Sequence, residues 1–193
     1  MEYCNGGDLQ TKISQHKKLQ RPIEEEEIWH IFHQVVAGLN ALHSRKIVHR
    51  DIKCANVFLT SEGTVKLGDL NVSKHAKAGI MNTQTGTPYY ASPEVWQDKP
   101  YDKSSDIWSL GAVLYEACAL QPPFQAKDMK GLYQKVCKGL YARLPSRYSK
   151  ELSDMVGSLL QVEPKKRPTT QMLMQSQTQK GHIDEPTELL GTI

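Results

Sequence analysis

Residues 107 to 117 constrain the fold more than any other stretch. Ile107, Trp108, Leu110, Val113, Leu114 and Ala117 put apolar side chains on nearly every side of a helix. A helix that is apolar all round has to be covered on all sides by other elements. Pro122 and Pro123 are expected to stop it, because proline lacks the amide hydrogen that a further turn needs. With 193 residues, 39% of them apolar and 23% charged, the chain is long enough to supply one ordinary domain around that helix.

The covering elements are partly legible. Ile28, Phe32, Val35, Leu39 and Leu42 recur at three and four, and Pro22 followed by Glu24 to Glu27 suits a helix start. This is the first helix that the periodicity predicts. Short β-like pieces follow at Ile47-Val48, Val57 to Leu59 and Val65 to Leu67, with the turn-like Ser61-Glu62-Gly63 between the last two. From Leu70 to about Pro100 no period is sustained, which within a compact domain points to a long functional loop. Amphipathic helices are expected around Asp128 to Lys138, Lys150 to Val162 and Thr170 to Gln177, before a polar tail without a period.

Charge and cysteine usage narrow the class. The net charge of +3 mixes acidic and basic runs, so no basic face large enough to imply nucleic acid stands out. Cys4, Cys54, Cys118 and Cys137 form no Cys-x-x-Cys pair, which fits reduced thiols in a cytosolic or nuclear compartment, and a cytoplasmic location is expected. There is no apolar run long enough for a membrane span.

One constellation carries chemistry. "HRDIKCANVFL", His49 to Leu59, places Asp51, Lys53 and Asn56 in a loop that leads into the hairpin, and Asp69 lies at the hairpin's far end. Phosphoryl transfer needs a carboxylate to accept the proton of the attacking hydroxyl, oxygen ligands for Mg²⁺, and a cation for the moving phosphate. These four residues supply all three.

The segment resembles the catalytic loop of a eukaryotic protein kinase, with Asp69 in the place of the Asp-Phe-Gly aspartate. "GTPYYASPE" (Gly86 to Glu94), "DIWSLG" (Asp106 to Gly111) and "KKRPT" (Lys165 to Thr169) resemble the later signatures of that family in order and spacing. Lys53 and Gly86-Thr87 make the chain similar to serine/threonine kinases, and "MEYCNGGDL", "ANVFL" and "GTPYYASPE" to the NIMA-related group among them.

The resemblance implies a protein-kinase-like α+β fold. This chain would be its mainly α-helical C-terminal lobe with a small β-hairpin and the N-lobe absent. Residues 1–177 would be the kinase-domain portion and residues 178–193 a polar tail. It also implies ATP and Mg²⁺ as cofactors and serine- or threonine-bearing proteins as substrates. Asp51 would be the base, Lys53 would steady the γ-phosphate, Thr87 would sit beside both, and Asn56 and Asp69 would ligate Mg²⁺. Glu2 and Cys4 would offer backbone hydrogen bonds to adenine, with Met1 at the gatekeeper position and Phe58 as the pocket floor. Arg50 would read a phosphate on the activation loop, with Thr83 and then Thr85 as candidate phosphosites. Glu94 and Arg167 would form a buried ion pair, and Asp106 would hold the backbone of the catalytic loop. The family suggests the centrosome, cilium or cytoskeleton as places of action.

Two departures qualify this. Leu70 and Asn71 stand where the family usually has Phe and Gly; the metal-binding aspartate itself is kept, so a tolerated variant is expected. No two glycines lie two apart, so a Gly-rich phosphate loop cannot be written in these residues, and no β3 lysine is present. The expectation is a fragment, catalytically incomplete alone, with the missing N-lobe in cis. The alternative is an interaction module that transfers no phosphate.

Overall fold

The computed structural model describes residues 4–69 and 88–178 of the chain. Among these are seven helices: α1 (Leu9–Lys18), α2 (Glu25–Ser44), α3 (Pro93–Trp96), α4 (Lys103–Ala119), α5 (Met129–Lys138), α6 (Lys150–Leu159) and α7 (Thr170–Thr178). One hairpin, β1 (Val57–Leu59) and β2 (Val65–Leu67), pairs antiparallel with Phe58 opposite Lys66. The mainly helical lobe with a small hairpin is thus observed.

Helix α4 is the axis. Every residue from Ser105 to Cys118 is buried. Asp102 and Ser105 cap its start reciprocally, and Leu120 ends it in the left-handed region at φ 54°. The helix therefore stops before Pro122-Pro123. Gly111 lets α6 approach: a Cβ there would fall 2.8 Å from the Cβ of Leu159. Trp108 is fully buried and stacks on Phe124, with ring centroids 5.3 Å apart.

Helix α2 follows its sequence stripe. Ile28, Phe32, Val35, Val36 and Leu39 are buried, and Glu25 to Glu27 lie in the first turn, where carboxylates meet the positive end of the helix dipole. On its outer side His30 and Gln34 both reach the carbonyl of Gly63, at 2.9 and 3.0 Å, and Gln34 accepts from the Val65 amide at 2.9 Å. The hairpin turn is thereby fastened to α2.

Two sequence expectations need correction, and one helix was not expected. Ile47-Val48 forms no strand. Helix α3 interrupts the stretch expected to be all loop; Pro93 at its start tolerates a missing amide hydrogen, and four residues are too few to display a period. Helix α1 was not foreseen, because only Leu9 and Ile13 are buried and its other residues are polar. Its start is set by Asp8, whose side chain accepts the Thr11 amide at 2.7 Å.

Candidate active site

The loop between α2 and β1 brings Asp51, Lys53 and Asn56 together. Lys53 Nζ donates to Asp51 Oδ2 at 2.9 Å. Asn56 Nδ2 donates to the same oxygen at 3.1 Å and to the Asp51 carbonyl at 2.8 Å. Asn56 is buried, whereas the side chains of Asp51 and Lys53 are 27% and 38% exposed. The carboxylate is thus positioned from inside by an amide and left partly open on its outer side.

Asp69 is joined to this cluster through the main chain. The Gly68 amide donates to the Asn56 carbonyl at 3.0 Å. Gly68 also lies flat on Phe58: a Cβ there would come within 2.5 Å of the ring. Asp69 follows with φ 53°, an uncommon conformation for a residue with a Cβ, and its side chain is exposed. Since both Asn56 amide bonds go through Nδ2, its Oδ1 remains as acceptor. That oxygen and the Asp69 carboxylate are hard donors, a chemistry that fits Mg²⁺.

Phe58 sits at the edge where the start of the chain joins the hairpin. Gly6 donates to the Leu59 carbonyl at 2.9 Å, the Leu59 amide donates to Gly7 at 2.8 Å, and Asp8 bridges to Phe58. Cys4, half-buried, leads into this edge. Met1, Glu2, Leu70, Asn71, Thr83, Thr85 and Thr87 lie outside the described residues.

What fixes the loop is a buried carboxylate. Asp106, with no exposed surface, accepts from the His49 amide at 2.9 Å, the Arg50 amide at 3.0 Å, His43 Nε2 at 2.8 Å and the Tyr101 hydroxyl at 2.6 Å. Burial pushes its pKa up, but the hydrogen bonds from His43, Tyr101 and the two amides outweigh it and hold the group below its ordinary value. Arg50 has φ 70°, so this anchoring also stabilises a left-handed backbone one residue before Asp51. Burial lowers the pKa of His49, whose Nδ1 accepts the Asp51 amide at 3.3 Å.

With that geometry in place, the comparisons with known proteins decide the family. The protein kinase domain family matches residues 1–178.

The chain belongs to the protein kinase family.

It is 46% identical over 176 residues to the serine/threonine-protein kinase Nek3 of Mus musculus, covering 90% of this chain and 34% of that protein. Nek5 of Homo sapiens is 41% identical, covering 90% of this chain and 25% of that protein. Nek2 of Mus musculus is 41% identical, covering 91% and 41%. These similarities uphold the NIMA-related resemblance. The kinase chain spans from a quarter to about two fifths of the length of these relatives.

The remaining expected contacts of the kinase chain can be placed too. Arg167 and Glu94 pair through two parallel bonds of 2.7 and 2.8 Å, both residues buried. Burial would raise the Glu94 pKa, but hydrogen bonds from Arg167 and Ser105 hold it below the ordinary value. Sequence reasoning missed His43 and Tyr101, which hold Asp106, and Glu116, which accepts from the Tyr90 hydroxyl at 2.7 Å and from the Cys54 thiol. Their partners are 26 to 63 residues away, except for Tyr101, five residues from Asp106. Only the unusual position of a carboxylate at 116, within the apolar run that follows Ser109, could have signalled one of them.

Proposed function

We propose that the chain is the catalytic-loop half of a serine/threonine protein kinase that transfers the γ-phosphate of ATP to serine or threonine hydroxyls of proteins. The observation that carries this reading is the cluster of Asp51, Lys53 and Asn56, all within 3.1 Å of their shared carboxylate oxygen. Bound Mg²⁺-ATP would supply the phosphoryl group and neutralise charge on its oxygens.

The chain's own residues would do the rest. Asp51 accepts the proton of the incoming hydroxyl, and its partly exposed carboxylate lets a substrate come within hydrogen-bond reach. Lys53, a point charge beside that carboxylate, steadies the transferring phosphate. Asn56 Oδ1 and the Asp69 carboxylate would hold Mg²⁺, and Thr87 would sit beside Asp51 and Lys53. The backbones of Glu2 and Cys4 would meet adenine over Phe58. Arg50 pairs with a phosphate on the activation loop, with Thr83 as first candidate. Leu70 and Asn71 are tolerated because the metal ligand beside them is kept. Residues 1–177 act as the kinase lobe and 178–193 as its tail, and an N-lobe in cis supplies the Gly-rich loop and lysine. The kinase acts in the cytoplasm, with the centrosome, cilium or cytoskeleton as sites within it.

The test uses the native protein captured from its own cells, at whatever length it has, together with its Asp51→Asn form. Phosphorylation of a generic serine/threonine substrate should fall by about 10²- to 10⁴-fold in the variant. Unchanged transfer by Asp51→Asn would overturn the reading. Robust, Asp51-dependent transfer by the purified 193-residue chain would overturn the part that requires an N-lobe.

A further inference from the structure

A cleft of about 870 Å³ lies between the C-terminal end of α2, the start of α4 and the segment that enters α7. None of Asp51, Lys53, Asn56, Phe58 and Asp69 lines it. Its charge is one-sided. Lys46, Lys103 and Lys165 line it, and none of the three makes an ion pair among the described residues. Arg167 also lines it but is neutralised by Glu94. Asp102 is the acidic residue of the lining, and its carboxylate is engaged in capping α4. Lys103 is further fixed by donating to the carbonyl of His43.

The walls say what kind of anion fits. The volume far exceeds that of a single phosphate or carboxylate and lies in the range that holds a sizeable ligand. Val48, Ile107 and Pro168 supply apolar surface, and Asn40, Thr169 and Gln171 supply side chains able to hydrogen-bond a peptide backbone. Among the described lining residues Tyr101 is the only Phe, Tyr or Trp, and a single such ring offers no row on which successive bases could stack. A mixed floor under a lysine rim suits polypeptide rather than nucleic acid.

The cleft also touches the anchor of the catalytic loop. His43 and Tyr101 both line it, and both donate to Asp106, which accepts the amides of His49 and Arg50. A ligand packed on these two side chains would restrict their motion and so tighten the bonds that Asp106 makes to the loop.

We propose that this cleft binds an acidic stretch of polypeptide and that its occupancy rigidifies the catalytic loop through His43, Tyr101 and Asp106. The test reads binding and amide exchange, not phosphotransfer, so its outcome is separate from that of the proposed activity. The probe is a short fluorescent peptide in which Asp and Glu alternate with Leu, titrated into the full chain by anisotropy. Lys46 and Lys165 are exposed and make no ion pair among the described residues, so a Lys46→Glu/Lys165→Glu variant should keep its circular dichroism and melting temperature. It should bind the probe about tenfold or more weakly, and binding to the unaltered chain should weaken as salt rises. Equal binding by the variant, or equal binding of a peptide with Gln and Asn for the acids, would overturn the site. So would binding of heparin without binding of the peptide. Hydrogen exchange at the His49 and Arg50 amides should slow when the peptide is bound; unchanged exchange at saturation would overturn the coupling.

Discussion

Arg167 uses all five of its N–H groups. Two go to Glu94, one each to the carbonyls of Gln161, Ser104 and Val162, and the guanidinium lies 5.1 Å from the centroid of the Trp108 ring. Lysine could reproduce neither the fork nor the stacking. Removing one partner of such a pair leaves a buried charge unmatched, and Arg167→Ala should therefore cost about 3–5 kcal/mol, read by urea unfolding. A loss below about 1 kcal/mol would mean that Glu94 finds water instead. The carboxyls of Glu94 and Asp106 also set the response to acid. Both titrate lower in the folded chain than in the unfolded one, so their stabilisation is complete above the ordinary carboxylate range near pH 4. It is lost as pH falls through their folded values. His49, held neutral by burial, adds a loss that begins below about pH 6.5, where the unfolded chain takes up its proton first. Melting temperature should thus fall in two stages on acidification, and a His49→Gln variant should lose the upper stage.

At the scale of elements, the contact of α4 with α6 decides the packing. Alanine at position 111 would add about 1 kcal/mol of helix propensity. Its Cβ would, however, lie 2.8 Å from the Cβ of Leu159, an atom that cannot swing away without moving α6. Overpacking of this kind costs about 1–3 kcal/mol, so the steric effect wins. Gly111→Ala should lower the melting temperature, and a rise would show that α6 gives way easily. The same elements show what could be read in advance. Helix α4 declared itself because buried on all sides means apolar on all sides, and α2 because a single buried face leaves a period of 3.6. Helix α1 buries only Leu9 and Ile13, and α3 is one turn long, so neither leaves a periodic trace.

Across the whole molecule, burial sorts the four thiols. Cys54 and Cys118 are buried, and burial pushes both thiols up, for Cys54 with the help of the Glu116 charge. Cys4 and Cys137 are half-exposed. A thiol reagent such as Ellman's should therefore titrate two cysteines in the native chain and the other two only on unfolding. Rapid reaction of all four would contradict the packing of the loop before β1 against α4, since Cys54 of that loop is buried and donates to Glu116 of α4. No helix among the described residues is long and apolar enough to cross a membrane.

The sequence by itself determined the central helix, the second helix, the hairpin, and the family whose motifs lie in order along the chain. It also singled out Asp51, Lys53, Asn56 and Asp69, because these four lie within 19 consecutive residues, in the loop before the hairpin and just after it. The tertiary structure decided what holds them. His43, Tyr101 and Asp106 meet from two helices and the segment between them, and Arg167 finds Glu94 from 73 residues away. Such contacts follow no period in the chain, since they are chosen by which buried polar groups must find partners once the helices have packed.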